Sequence, residues 1–294
     1  MYHKTSKVSI TLAATTVFGL AGLSQAHAQT GNLYLTGKDS NGAFSLFTVQ
    51  GGNIVNKVSQ AVGYEGAIAV DGDIRTTGWY DTHRGYSSTD GARYQLDGTA
   101  TSDRYRRTTG GDMYDGTTDG QYNYGVSYQE FDGVMASNVY RYNRDWTGGT
   151  YLFRVGATNS IYGITYDTTN SSLWVSGWGV DTITNYSLGG SKGFSFSTNH
   201  LENAALALDG ADNTLWLMNM SDPTHPLEQY DKTGRLLHTE TVTGLERATG
   251  GEFDLSAVRG QSVTPEGDSL ILLGCGLLPL GGLGLWRRRR QRSA

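Results

Sequence analysis

Cysteine is all but missing: the one cysteine of the 294 residues, Cys275, lies in an apolar stretch near the C-terminus, so residues 29–262 contain none. That region can form no disulfide and offers no thiolate as metal ligand or nucleophile. Long helix-forming runs are scarce too, and no stretch repeats apolar residues at the 3.6-residue spacing of an amphipathic helix. No serine elbow, zinc-binding histidine pair or phosphate-cradling glycine loop occurs. The four histidines of residues 29–262, His83, His200, His225 and His238, are scattered. Positive charge is also short there, with 16 Lys and Arg against 26 Asp and Glu, a net −10 where the whole chain carries −5. Such a surface repels a polyanion, which excludes nucleic acid as a partner. Nothing in these patterns implies a cofactor.

The missing basic residues are at the two ends. Lys4 and Lys7 precede an apolar run from Val8 to Leu23, and Ala26 and Ala28 then stand two apart. This order predicts a secretory signal peptide over 1–28, cut by signal peptidase after Ala28. An uncut N-terminal anchor is the alternative, but the run is shorter than the ~20 residues of a membrane span. At the other end no formal charge occurs from Ser269 to Trp286, and Arg287, Arg288, Arg289, Arg290 and Arg292 follow. As a helix, Leu270 to Trp286 would measure about 26 Å, just enough for a thin bilayer. The arginines would stay on the cytoplasmic side and leave the preceding chain outside.

Just before that span stands Val263-Thr264-Pro265-Glu266-Gly267-Asp268. Motif, apolar helix and arginine cluster together resemble the C-terminal sorting signal of the bacterial PEP-CTERM proteins, with Gly267 where a second proline is usual. The resemblance covers residues 263–294: motif 263–268, helix 269–286 and basic tail 287–294. It implies recognition of Val263, Pro265 and Glu266 by an exosortase-like membrane transpeptidase, which cuts near the motif and passes the protein to the cell envelope. A plain anchor that nothing cuts is the alternative.

Residues 29–262 are long enough for one large domain or two small ones. The chain's 41 glycines and 18 tyrosines favour strands and turns. A small-residue strand ending in aspartate recurs as AIAVD, GDMYD, GITYD, ALALD and GEFD, ending at Asp71, Asp115, Asp167, Asp209 and Asp254. The intervals are 44, 52, 42 and 45 residues. A period in the forties predicts propeller blades, each a four-stranded antiparallel sheet, with the aspartates closing the first turn by accepting backbone N–H groups. The copy beginning NLYLTG matches a second strand, and GGEFDL near Asp254 is a first strand with nothing after it. We therefore expect an all-β, five-bladed propeller in which the C-terminal strand pairs with Leu33-Tyr34-Leu35 and closes the ring. A two-sheet sandwich is the alternative. The Asp turn followed by Leu-Trp-Val at 173–175 and Leu-Trp-Leu at 215–217 resembles NHL and YVTN repeat proteins, which implies architecture rather than function.

Candidate sites follow from this frame. Glu65, Asp112, Glu202 and Glu252 lie on or beside the first strands, where five-bladed glycoside hydrolases aim two carboxylates into an open funnel. The acidic turns at Asp71–Asp73 and from Asp112 to Gly120 are oxygen-rich but lack helix-loop-helix calcium spacing, and turn capping explains them better. Tyr122, Tyr124, Tyr128, Tyr140, Tyr142 and Trp146 form an aromatic group that suits either a strand or a glycan-stacking surface. The reading reached from sequence is a non-enzymatic envelope propeller for binding or scaffolding, with extracellular polysaccharide as a candidate partner. A polysaccharide-acting hydrolase is the alternative. A carboxylate pair across an open funnel would favour the enzyme and a plugged funnel the scaffold.

Overall fold

The computed structural model describes residues 29, 31–78, 80–81, 86–87, 89–131, 134–156 and 161–259. The signal and sorting segments expected at the two ends lie outside the described residues. Among those described, no helix is long and apolar enough to cross a membrane.

The chain forms five four-stranded antiparallel sheets. Blade 1 contributes β1 (Leu33–Asp39), β2 (Phe44–Gln50) and β3 (Asn53–Ser59). Blade 2 holds β4 (Glu65–Val70) and β5 (Ile74–Gly78), a small ribbon of β6 (Tyr80–Asp81) and β7 (Tyr86–Ser87), then β8 (Asp90–Tyr94) and β9 (Ala100–Arg106). Blade 3 is β10 (Asp112–Thr118), β11 (Asn123–Phe131), β12 (Val134–Tyr142) and β13 (Thr150–Gly156). Blade 4 is β14 (Ile161–Asp167), β15 (Ser172–Gly177), β16 (Thr182–Ser187) and β17 (Lys192–Ser197). Blade 5 is β18 (Asn203–Asp209), β19 (Thr214–Asn219), β20 (Leu227–Tyr230) and β21 (Leu236–Glu240). The last strand, β22 (Leu245–Phe253), returns to blade 1 as its innermost strand, and a single turn of helix, α1 (Ser256–Arg259), follows.

The expected closing pair forms, with Leu33 opposite Phe253, Tyr34 opposite Glu252 and Leu35 opposite Gly251. Joining the two ends in one sheet leaves the ring without a gap through which a blade edge would be exposed. Five apolar wedges fill the spaces between blades. Leu33, Leu35, Phe47 and Val49 meet Ala205, Ala207 and Trp216 between blades 1 and 5. Tyr34 and Leu46 meet Ile68 and Ile74 between blades 1 and 2, and Ala67 and Ala69 meet Met113 and Trp146 between blades 2 and 3. Tyr124 and Val126 meet Ile164 and Tyr166 between blades 3 and 4, and Trp174 meets Leu206 and Leu208 between blades 4 and 5.

Burial falls off along the radius and accounts for the sequence pattern. Inner strands such as β4 (EGAIAV) and β18 (NAALALD) are buried at every position, whereas outer β3 (NIVNKVS) alternates exposed and half-buried residues. Five inner strands converge on one axis, so they carry Ala and Gly where second strands carry Leu and Trp. At the closing seam the fit is tightest: a Cβ on Gly37 would collide with the backbone of Arg247 and Ala248 in β22.

Gly37→Ala should therefore lower the free energy of unfolding by about 1–3 kcal/mol, the usual cost of overpacking. Gly189→Ala, whose Cβ would meet only Ser187 Oγ at 3.8 Å, should leave it unchanged. Denaturant titration of both variants checks this, and equal stabilities would refute the tight seam.

Candidate functional site at the propeller axis

Three of the five repeat aspartates cap their turns directly. Asp167 ends β14 and accepts the N–H of Thr169 at 3.0 Å, and Asp209 ends β18 and accepts that of Ala211 at 2.9 Å. Asp254 follows β22 and accepts Ser256 N–H at 3.1 Å and, across to the next blade, Gly72 N–H at 2.9 Å. Asp71 occupies the matching turn after β4, where its carboxylate lies 3.9 Å from Arg144.

Asp115 departs from the expected turn role. It sits in the middle of β10, fully buried, and the turn aspartate of blade 3 is Asp119, which accepts the N–H groups of Gln121 at 2.8 Å and Tyr122 at 2.7 Å. Two details confirm this alignment. The aromatic residue of the second strand donates to the turn aspartate in both blades, Tyr124 to Asp119 at 2.7 Å and Trp174 to Asp167 at 3.0 Å. Each inner strand also has a bulge three to five residues before its turn aspartate, at Gly66, Tyr114, Tyr162 and Thr249 and across Ala205–Leu206. With Asp119 in place the intervals become 48, 48, 42 and 45 residues. DMYDGTTDG holds three aspartates, and the small-apolar-apolar-Asp pattern selected the wrong one.

The side chain of Asp115 instead serves the axis. An inner strand is an edge strand whose free N–H groups point to the centre of the ring, where water is excluded, and each must find an acceptor. Asp115 Oδ1 accepts from Gly116 at 2.8 Å and Gly251 at 3.0 Å, and Oδ2 from Ile164 and Leu206, both at 3.1 Å. These donors hold the same repeat position, three before the turn aspartate, in four of the five blades. One carboxylate thus ties together blades 1, 3, 4 and 5.

One layer along, Glu252 is fully buried. Its Oε1 accepts from Thr165 Oγ1 at 3.0 Å and from its neighbour Phe253 N–H at 3.3 Å. The hydroxyls of Thr117 and Thr165 in turn accept N–H from Tyr166 at 2.9 Å and Leu208 at 3.0 Å. Leu255, fully buried, packs with residues of blades 3 and 4 such as Tyr124, Ile164 and Tyr166. Burial pushes both carboxyls well above their ordinary range. At Asp115 four N–H donors already point at the two oxygens, whereas the threonine hydroxyls beside Glu252 can rotate to accept. A proton is therefore better accommodated on Glu252 than on Asp115.

The other sequence candidates are not brought together. Glu65 is buried within blade 2, where it accepts the Tyr94 hydroxyl at 2.7 and 2.8 Å and Val62 N–H at 2.9 Å. Glu202 lies in a loop whose backbone bridges to Trp178, and the side chain of Asp112 lies outside the described residues. Asp73 is held by Arg75 at 3.0 Å, Arg93 at 2.6 Å and Arg144 at 3.2 Å. Among the described residues no group of three or more His, Cys, Asp or Glu side chains is placed to hold a metal.

The aromatic group does not form a surface. Trp146, Tyr142, Tyr124 and Tyr140 are between 0% and 4% exposed, and Trp146 fills the wedge between blades 2 and 3 and donates to Arg75 C=O at 3.3 Å. Alternation in YNY and YRY reflects strands whose inner face is core. Only Tyr122, which lies under the Arg141 guanidinium at 4.6 Å, and Tyr128 are partly exposed. Sequence reasoning also passed over a pocket of about 380 Å3 on the turn face, lined by Asn32, Tyr34, Leu96, Asp209, Phe253 and Asp254 among others. No local motif marks it, because its walls come from blades 1, 2 and 5.

No family model matches the chain, and no curated protein matches it. Among solved structures, a chain in the crystal structure of a nidogen/laminin complex aligns at 14% identity with a TM-score of 0.52, over 77% of this chain and 99% of that one. A protein of unknown function from Bacteroides caccae aligns at 11% identity and TM-score 0.43, over 72% of this chain and 73% of its own. A functionally unknown protein from Desulfotomaculum acetoxidans aligns at 14% and 0.41, over 75% of each chain. At 14% identity the first likeness is one of fold alone.

Asp115→Asn leaves one acceptor oxygen among four N–H groups and should destabilise by about 3 kcal/mol or more, since each orphaned donor costs about 1–3 kcal/mol. Glu252→Gln should cost less than about 1 kcal/mol near neutrality. Because the folded-state pKa of Glu252 is raised, its stabilising contribution is complete below the unfolded carboxylate range and is lost as pH rises through the raised value. Thermal melts from about pH 5 to pH 9 should show wild-type stability falling with pH and a flatter profile for Glu252→Gln. Parallel profiles would show that Glu252 is not the titrating group.

Proposed function

We propose that this chain is an exported protein of the bacterial cell envelope or extracellular matrix, and that its propeller is a non-enzymatic scaffold for binding. The observation that carries this reading is the state of the axis. The two carboxyls that meet there, Asp115 and Glu252, are fully buried and engaged with the edges of the inner strands. A glycoside hydrolase needs its acid and its base or nucleophile on either side of a cleft that admits substrate and water.

Delivery rests on the two ends. Signal peptidase cuts after Ala28, and an exosortase-like transpeptidase recognises Pro265 and Glu266, with Arg287–Arg290 as the membrane stop. Cleavage after Ala28 leaves the first blade's contacts intact, since Gln29 donates to Val49 C=O at 2.7 Å and accepts Gly51 N–H at 2.9 Å. An envelope location brings extracellular polysaccharide within reach. Of the aromatic residues considered for stacking, Tyr122 and Tyr128 are the partly exposed ones.

Expression in a bacterium that carries an exosortase should yield a mature N-terminus at Gln29 and a propeller open to protease added outside the cell. A protein that keeps Met1 and is protected until lysis would overturn the export reading. Reducing-sugar assays on envelope polysaccharides should show no release. Release that is lost in Glu252→Gln but retained in a folded Glu65→Gln protein would overturn the non-enzymatic reading.

A further inference from the structure

On the turn face, the loop between the third and fourth strands of a blade reaches toward the inner-strand aspartate of the preceding blade. In blade 5 that loop begins Tyr230-Asp231-Lys232, and Lys232 Nζ lies 2.6 Å from Asp167 of blade 4. In blade 3 it begins Tyr142-Asn143-Arg144, and Arg144 lies 3.9 Å from Asp71 of blade 2. In blade 2 the equivalent loop reads Tyr94-Gln95-Leu96, opposite Asp254 of blade 1. Leucine stands there in place of the cation, as Leu188 does in blade 4, while blade 1 has Gly51, so two of the five loops supply a cation from within the ring.

The 380 Å3 pocket lies at this place, with Leu96 and Asp254 both in its wall. Asp254 Oδ1 accepts from Gly72 and Ser256, while Oδ2 accepts one hydrogen bond, from Ser256 Oγ at 2.9 Å. None of the ion pairs among the described side chains includes Asp254. The rest of the wall combines apolar Phe253, Leu96 and Ala257 with Asn32, Tyr34 and a second acidic residue, Asp209.

We propose that this pocket receives a lysine side chain from a partner protein, whose ammonium pairs with Asp254 as Lys232 pairs with Asp167 within the ring. Apolar walls suit the methylene stem and the carboxylate suits its charged tip. An amino sugar also carries an ammonium, but it lacks the long methylene stem that Phe253, Leu96 and Ala257 would enclose. The net charge of −10 over residues 29–262 attracts a basic partner to the domain as a whole. The inference rests on the reading of the propeller as a binding scaffold and names the chemistry of its partner.

Calorimetric titration of the full-length chain with Nα-acetyl-lysine amide should show binding with a dissociation constant on the order of 1 mM, as expected of so small a ligand. The uncharged Nα-acetyl-norleucine amide should bind at least about tenfold more weakly, since it lacks the ammonium. Leu96→Lys, which supplies the missing cation from within, should abolish binding while raising the melting temperature. Asp254→Asn should weaken binding by about tenfold or more. Absence of binding to the wild type, equal binding of the norleucine amide, tighter binding of glucosamine, or full binding by a folded Leu96→Lys protein would each overturn the proposal. Titration of purified protein does not depend on where the cell places it, so failure of export and failure of the pocket are separate results.

Discussion

Five strands that turn their unpaired edges toward one dry axis create a debt of hydrogen-bond acceptors, and the rest of the architecture is arranged around meeting it. Ordinary sheets hide an edge behind another strand, but at the centre of a ring there is no room for one. Here a bulge in every inner strand turns its N–H groups inward, and the acceptors arrive as side chains. Asp115 takes four of them, from four blades, and the hydroxyls of Thr117 and Thr165 take two more. The small residues of AIAV and ALAL follow from the same crowding, since anything larger would hold the strands too far apart for one carboxylate to reach them all.

Much of this was legible in the sequence. The five-blade count, the missing first strand of blade 1 and the pairing of GGEFDL with Leu33-Tyr34-Leu35 all emerged from phase and period, because each blade repeats one local pattern. Asp115 was misread for the same reason. A repeat search rewards similarity, and the side chain that holds the blades together occurs only once. Glu252 was noticed as a carboxyl on a first strand, but its burial and its link to Thr165 of blade 4 are long-range facts that no local window contains.

The aromatic residues of blade 3 show a second limit. Alternating tyrosines identify a strand, yet which face is solvent depends on what packs against it. Trp146, in a turn with a left-handed φ of 59°, swings back beneath the sheet to touch Ala67 and Ala69 of the preceding blade. By contrast, among the described residues the loop cation that reaches the preceding blade occurs only at Arg144 and Lys232, and which carboxylate each loop faces is a fact of the fold that no local window contains. A surface built by repetition is most informative where the repetition fails.

The closing sheet has a mechanical corollary. Beta-22 leaves the ring at Phe253, beside the point where β1 begins at Leu33, and the two strands run antiparallel along their length. Because the two chain exits lie side by side at that end, tension between them opens the seam from Leu33–Phe253 inward, one pair after another, rather than loading all its hydrogen bonds at once. A ring closed in this way gives way first at the Leu33–Phe253 end of its seam.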